Sequence, residues 1–299
     1  MGGGYYTASS FCNYSTARGY SYDVTTDRIN GHAFTETGLN ENLNPYDKIR
    51  ECCNSDEHPN TVPVILGLDV TGSMGNACAE TAAALSQIVK ELYNKYKDIE
   101  IMTMGIGDFD CDRYPLQCTQ FESDVRIAEQ MDQIYMEHGG GGNGWESYTA
   151  AWWYGLYRTK LDCFNDQGRK GIIITMGDEP LNPDLTLSRV LNYLGEANQK
   201  NMEYLFKTPE LYREASKKFD IFHIAVDDPG DCYQNYKHTV DPSFKKVIGE
   251  NFKISTIDNL KDTICQCISL AISNGPTVIS ETAEPGNGLK HDENGGIIW

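Results

Sequence analysis

Residues 64–75 read VILGLDVTGSMG, and no other stretch of this chain limits its possible folds so sharply. Five apolar or small residues, Val64, Ile65, Leu66, Gly67 and Leu68, run into Asp69, and two hydroxyl residues follow at alternate positions, Thr71 and Ser73. An amphipathic helical pattern begins after Gly75. A buried strand, an oxygen-rich turn and then a helix is the layout of a site at the carboxyl end of a strand in an open α/β sheet. One carboxylate and two hydroxyls are hard oxygen donors, suited to Mg²⁺ or Mn²⁺, with Ca²⁺ also compatible, and ill suited to zinc. A lone D-x-T-x-S has little specificity, so the remaining ligands must come from elsewhere in the chain.

The rest of the sequence supplies a second loop of the same kind. Gly171, Ile172, Ile173, Ile174 and Thr175 predict a central strand that leads into Met176-Gly177-Asp178-Glu179-Pro180. Further strands are predicted over 99–106, ending in GIGDFDCD, over 220–226 and over 252–254, with a short edge strand over 116–121. Apolar residues at steps of three and four mark helices between them. One stripe is Ala82, Leu85, Ile88, Val89, Leu92 and Tyr96. A second, Val125, Ala128, Met131, Ile134 and Tyr135, is expected to stop at the glycine run 139–142. A third carries Tyr148, Ala151, Trp152, Gly155 and Leu156. Residues 185–194 and 209–219 are helical in character, and Leu260, Ile264, Cys267, Ile268 and Ala271 line a closing helix. Strands alternating with helices predict an α/β domain, an open and mostly parallel sheet with helices on both faces. This domain is placed at 59–272. Before it, residues 1–58 form an irregular arm whose tyrosines (Tyr5, Tyr6, Tyr14, Tyr20 and Tyr22) are expected to pack on the domain or on a neighbouring subunit. After it, residues 273–299 form an extended tail whose hydrophobic end, Gly296-Ile297-Ile298-Trp299, is expected to dock, so self-association through arm or tail is possible.

With Asp69, Thr71, Ser73 and Asp178 all in loops that follow strands, the chain resembles the von Willebrand factor type A domain over residues 60–272. The resemblance implies a Rossmann-like fold and a metal-ion-dependent adhesion site. In that site D-x-T-x-S and a later aspartate hold Mg²⁺, and an open coordination position takes an Asp or Glu carboxylate from a protein partner. The middle loop departs from the family pattern. Where a threonine often binds the metal, this chain has Gly140-Gly141-Gly142-Asn143-Gly144-Trp145-Glu146-Ser147. This is similar to the glycine-rich loop of bacterial and phage-encoded members. Asn143 or Glu146 would then supply the missing oxygen, with Ser147 a weaker third choice.

Composition limits the partners. Lys plus Arg number 25 against 43 Asp plus Glu, a formal charge of -18. Such a surface repels nucleic acid and anionic lipid, so neither is expected as a partner. No apolar run is long enough to span a membrane. The start lacks the basic and apolar regions of a signal peptide. Ten cysteines scattered through 299 residues read as reduced thiols and favour the cytoplasm.

Other candidates are weaker. Asp108, Asp110 and Asp112 alternate as in a calcium loop but lack its later glycine and glutamate, leaving Asp108 a supporting role near the strand ends. Asp227 and Asp228 lie beside Pro229-Gly230, a turn signal. The histidines show no metal-ligand spacing, and His223 is expected to hydrogen-bond within the core. Ser73 has no histidine base and no nucleophile elbow. Trp152 is expected to pack inward, and Trp145 to be an exposed anchor beside the metal loop. The sequence therefore reads as a non-enzymatic, metal-dependent protein-interaction module. Two alternatives are a structural component of a larger assembly, a phage-related one among the options, with a stabilising metal, and a metal-dependent hydrolase. Glu146 and Glu179 are the only general bases the hydrolase reading can nominate.

Overall fold

The computed structural model describes residues 7, 21–23, 28–30, 35–74, 88–89, 91–93, 95–137, 142–195, 205–227 and 232–274. Its centre is a six-stranded sheet of β1 (Val62–Asp69), β2 (Ile99–Ile106), β3 (Leu116–Cys118), β4 (Gly171–Gly177), β5 (Phe219–Val226) and β6 (Phe252–Ser255). The strands lie in the order β6-β5-β4-β1-β2-β3, and every pairing is parallel except β2 with β3. The expected fold class, an open and mostly parallel α/β sheet, is the one observed.

Strands covered on both faces need apolar residues in both directions, and β1, β2 and β4 are buried along their whole length. Side chains alternate between two cores, as a period of two requires. Val64, Leu66 and Leu68 face one core, with Ile88, Val89 and Leu92 of a helical segment, α1 (Arg126–Met131) and the closing helix α6 (Ile257–Asn274). Ile65 faces the other, formed by α2 (Thr149–Arg158), α3 (Leu187–Leu194), α4 (Thr208–Ala215) and α5 (Cys232–Ile248). Helices thus cover both faces.

Several elements differ from expectation. α1 stops at Met131, well before the glycine run, because Ile134 reaches the core through a turn while Tyr135 binds Gln117 in both directions. The edge strand stops at Cys118 rather than continuing to residue 121. Residues 184–186 pair with 205–207 as a two-stranded ribbon, so α3 begins only at Leu187. α4 ends at Ala215, and Phe219 already belongs to β5. The 17-residue α5 was not anticipated, since its exposed face is polar and Pro242 stands inside it.

Residues 35–58 pack on the domain. Leu43 is buried in the first core, and its carbonyl accepts from Cys118 N of β3 at 2.9 Å. Arg50 Nη2 donates to the carbonyls of Cys118, at 2.8 Å, and Asn42, at 2.9 Å. Residues 50–52 also form a parallel pair with 159–161. The side chains of Tyr5, Tyr6, Tyr14, Tyr20 and Tyr22 and the tail 275–299 lie outside what the structure describes.

Candidate metal centre

In this sheet the chain order reverses between β1 and β4, and the loops leaving their carboxyl ends diverge there. A crevice at such a switch point is where open α/β sheets place their ligands. Asp69 closes β1 and Asp178 follows directly on β4, so both carboxyls arrive on adjacent parallel strands. Thr71 and Ser73 come from the bend and the short 3₁₀ turn after β1.

Four side chains from these loops form a continuous row of oxygens. Thr71 Oγ1 donates to Asp69 Oδ1 at 2.6 Å, Thr71 Oγ1 and Ser73 Oγ are 3.2 Å apart, and Ser73 Oγ donates to Asp178 Oδ1 at 2.9 Å. Thr71 N adds a 3.0 Å bond to Asp69 Oδ1, an Asx-type turn that fixes the loop. In an octahedral shell with bonds of about 2.1 Å, neighbouring oxygens lie about 3.0 Å apart. The donor set therefore fits a small hard cation in chemistry and in spacing. The alternative that Asp69 and Ser73 only cap a helix does not explain why Ser73 reaches across to Asp178.

The middle loop contributes differently from each of its residues. Asn143 Nδ2 donates to Asp108 Oδ2 at 2.5 Å, and Ser147 Oγ donates to Asp108 Oδ1 at 3.0 Å. Asp108, buried at the end of β2, thereby ties the loop to the sheet. Asn143 Oδ1 and Glu146 Oε2 are both buried acceptors with no hydrogen-bond partner among the described residues. Trp145 is half-buried rather than an exposed anchor, while Trp152 packs inward as expected. His223 accepts or donates a 2.9 Å bond with Thr175 Oγ1 in the core, also as expected.

Tyr148 was legible only as a residue on a helical face, and it enters the site itself. Its hydroxyl donates to Asp69 Oδ2 at 2.7 Å and receives Glu179 N at 3.4 Å. The signal was its place directly after the middle loop, at the start of α2.

Carboxyl groups crowd this end of the sheet. Burial, then the Asp178 charge, raises Asp69 to about 7 against hydrogen bonds from Thr71 and Tyr148 that lower it. Burial, then Asp69 and Glu179, pushes Glu146 up to about 11. Glu179 rises to about 7 through burial and Asp178. Negative charge is thus in excess, the condition that a bound cation relieves. Among the described residues no group of three or more His, Cys, Asp or Glu side chains is arranged to hold a metal. The set here is of another composition, two carboxylates with two hydroxyls. No described helix is long and apolar enough to cross a membrane.

No family model matches the sequence, and no curated protein matches it. Among solved structures, the chain is similar to the pilus adhesin SpaC from Lactobacillus rhamnosus GG in its open conformation, with 10% identity and a TM-score of 0.46 over 77% of this chain and 31% of that one. It is similar to the vWF domain of the type V pili tip protein Mfa5 from Porphyromonas gingivalis, with 13% identity and a TM-score of 0.45 over 73% of this chain and 98% of that one. Proximal thread matrix protein 1 from the mussel byssus gives 11% identity and a TM-score of 0.44 over 75% and 47%. The chain spans about a third of the length of the pilus adhesin, 31%. At these scores the likeness is one of general chain trace, and the fold assignment stands on the strand order and register above.

Proposed function

We propose that this chain is a non-enzymatic, metal-dependent protein-interaction module. Asp69, Thr71, Ser73 and Asp178 hold one divalent cation, Mg²⁺ or the similar Mn²⁺, and a coordination position left open to solvent takes an Asp or Glu carboxylate of a protein partner. The observation that carries this reading is the unbroken row of four oxygens, drawn from two strand-end loops and spaced 2.6, 3.2 and 2.9 Å. When bound, the ion supplies a fixed positive charge in a surface that is otherwise strongly acidic, and so gives an acidic partner a specific place to attach. Asn143 Oδ1, buried and without a partner, completes the donor set from the middle loop. A neutral amide there leaves the ion more of its attraction for a carboxylate than a third charged ligand would. Glu146, pushed up by burial and then by Asp69 and Glu179, stands beside the ligands and is not counted among them.

We also propose a cytoplasmic location, from the reading of the ten scattered cysteines as reduced thiols. Thermal melts of wild type and Asp69→Ala, each with Mg²⁺ and with chelator, test the metal site. Mg²⁺ is expected to raise the melting temperature of wild type alone. An equal rise in both proteins would put the ion elsewhere. Affinity capture from native extract, with and without chelator, then tests whether partner binding depends on the ion.

A further inference from the structure

The central sheet has two margins, and the chain treats them differently. At β3 the backbone groups of Cys118 are taken up by Leu43 O and by Arg50. The opposite margin, β6, pairs with β5 alone among the described residues. Ser255 O accepts from Asp227 N at 2.8 Å, so the peptide groups of Ser255 face β5. Successive residues of a strand turn their N–H and C=O to opposite sides, and those of Ile254 therefore face away from the sheet. Its side chain is 47% exposed, on the face where Phe252 is buried. Charge at this edge also departs from that of the whole protein. The chain carries -18, yet residues 237–253 hold four lysines, Lys237, Lys245, Lys246 and Lys253, against Asp241 and Glu250. Lys245 pairs with Asp241 at 2.7 Å and stands 5.5 Å from the centre of the Phe252 ring, on the α5 face. Lys253 alternates to the α6 face, level with Ile224 of the first core. Its ammonium donates to the carbonyl of Glu250 at 2.7 Å, a neutral acceptor that leaves its charge uncancelled.

We propose that the β6 edge is a docking site for an extended acidic segment of another protein, which adds to the sheet as a further strand. Backbone bonds to Ile254 hold the segment, its apolar side chains continue the face of Phe252 and Ile254, and its carboxylates face Lys253. Lys245 and Lys246 add to the local positive field. Elsewhere the net charge of the protein repels such a segment, so the lysines also decide where it attaches. A further parallel strand from this chain is a poorer occupant. α4 and α5, which lead from β4 to β5 and from β5 to β6, lie on the second core, whereas α6 lies on the first. A strand that followed α6 and paired outside β6 would close a left-handed crossover, and such connections are almost always right-handed. The cation plays no part in this site, so neither reading stands or falls with the other.

Titration of the full chain, in chelator, with a short blocked peptide of alternating glutamate and valine tests the proposal, with amide hydrogen exchange as a second readout. The peptide is expected to bind and, in excess, to slow exchange at the Ile254 amide at least about tenfold. The same peptide with lysine in place of glutamate is expected not to bind. Ile254→Pro removes the outward N–H at an edge position that tolerates proline, and should weaken the peptide at least about tenfold. Lys253→Glu should weaken it by a similar factor, again about tenfold, through charge alone. Failure of wild type to bind the glutamate peptide overturns the proposal and needs no variant to fold. So does equal binding of the lysine peptide, or binding that leaves exchange at Ile254 unchanged. Unchanged affinity in a folded Ile254→Pro or Lys253→Glu protein overturns it too. Slow exchange at Ile254 before any peptide is added would give the edge to the chain's own tail or, where the slowing grows with protein concentration, to a second copy, and either result overturns the proposal.

Discussion

The two ends of α2 treat buried charge in opposite ways. At its carboxyl end Lys218, from the turn before β5, donates to the carbonyls of Gly155, Leu156 and Thr159 at 3.1, 3.2 and 2.7 Å. These are the carbonyls that a helix leaves unpaired at its end, and an ammonium there also suits the helix dipole. At the amino end Asp69, Asp178, Glu146 and Glu179 are all acidic, and each has the sign the dipole favours once it is ionised. There, however, Glu146 Oε2 and Asn143 Oδ1 have nothing to accept from among the described residues. The lysine end is complete within the chain. The carboxylate end keeps two buried acceptors without a partner among the described residues, and the proposed cation is what would complete it.

The largest effect should come from breaking the complete end. Lys218→Met removes the ammonium and leaves buried carbonyls unpaired, at about 1–3 kcal/mol for each one that water cannot reach. A loss of about 3–5 kcal/mol is expected in urea denaturation, whether Mg²⁺ is present or not. A metal-dependent loss would blur the distinction between the two ends.

Changing the incomplete end should have the opposite sign. The folded protein holds Glu146 at about 11, far above its ordinary value, so the native state keeps a proton that the unfolded chain releases. Stability is therefore lost as pH rises from about 4.5 toward that value, and Glu146→Gln removes the loss. In chelator at pH 8 the variant is expected to be about 2 kcal/mol more stable than wild type, with no gain at pH 4. A destabilised variant at pH 8 would mean that Glu146 already has its partner.

The same reasoning gives a smaller effect in the unaltered protein. Asp69 and Glu179, each raised to about 7, make the native state bind more protons than the unfolded state between about pH 4 and 7. In chelator the melting temperature should fall across that window. Mg²⁺ should restore a few degrees at pH 8 and almost none at pH 5, because the ligands must lose their protons to bind it. An equal shift at both pH values would detach the ion from these carboxyls.

The smallest effect separates the two unpartnered oxygens. Asn143→Ala is expected to cost about 1 kcal/mol through its bond to Asp108 and to weaken Mg²⁺ binding about tenfold in calorimetry. Glu146→Gln should leave Mg²⁺ affinity within about threefold if Glu146 stands beside the ligands rather than among them. The reverse pattern would make Glu146 the ligand.

Legibility in the sequence followed the strength of local signals. The strands around Asp69 and Asp178 are near-continuous apolar runs, and the residues closing them had to emerge at one end of a parallel sheet, so the nearness of Asp69, Thr71, Ser73 and Asp178 was legible in the sequence. α5 was not visible because Gln234, Asn235, Lys237 and His238 face solvent and Pro242 interrupts the helical pattern. α1 read too long because Ile134 keeps the helical spacing while entering the core from a turn. Tyr148 carried an apolar signal as part of a helical stripe, and only its packing against His223 and Phe244 turns its hydroxyl toward Asp69. A middle loop with four glycines gives no pattern that fixes which of its polar groups points inward.

The contacts that residues 42–50 make with β3 cover the margin of the central sheet. Leu43 O and the Arg50 guanidinium occupy backbone groups of Cys118 that an edge strand would otherwise present to a neighbouring molecule. A fragment beginning at residue 59 would retain β1 to β6 and the four oxygens at the switch point, yet would lay that margin bare. It would offer a strand-pairing edge flanked by Leu116 and Phe121, both buried in the intact chain. Cover for that edge thus comes from a segment that adds no strand to the central sheet, and shortened versions of the protein that begin after Leu43 are expected to associate through it.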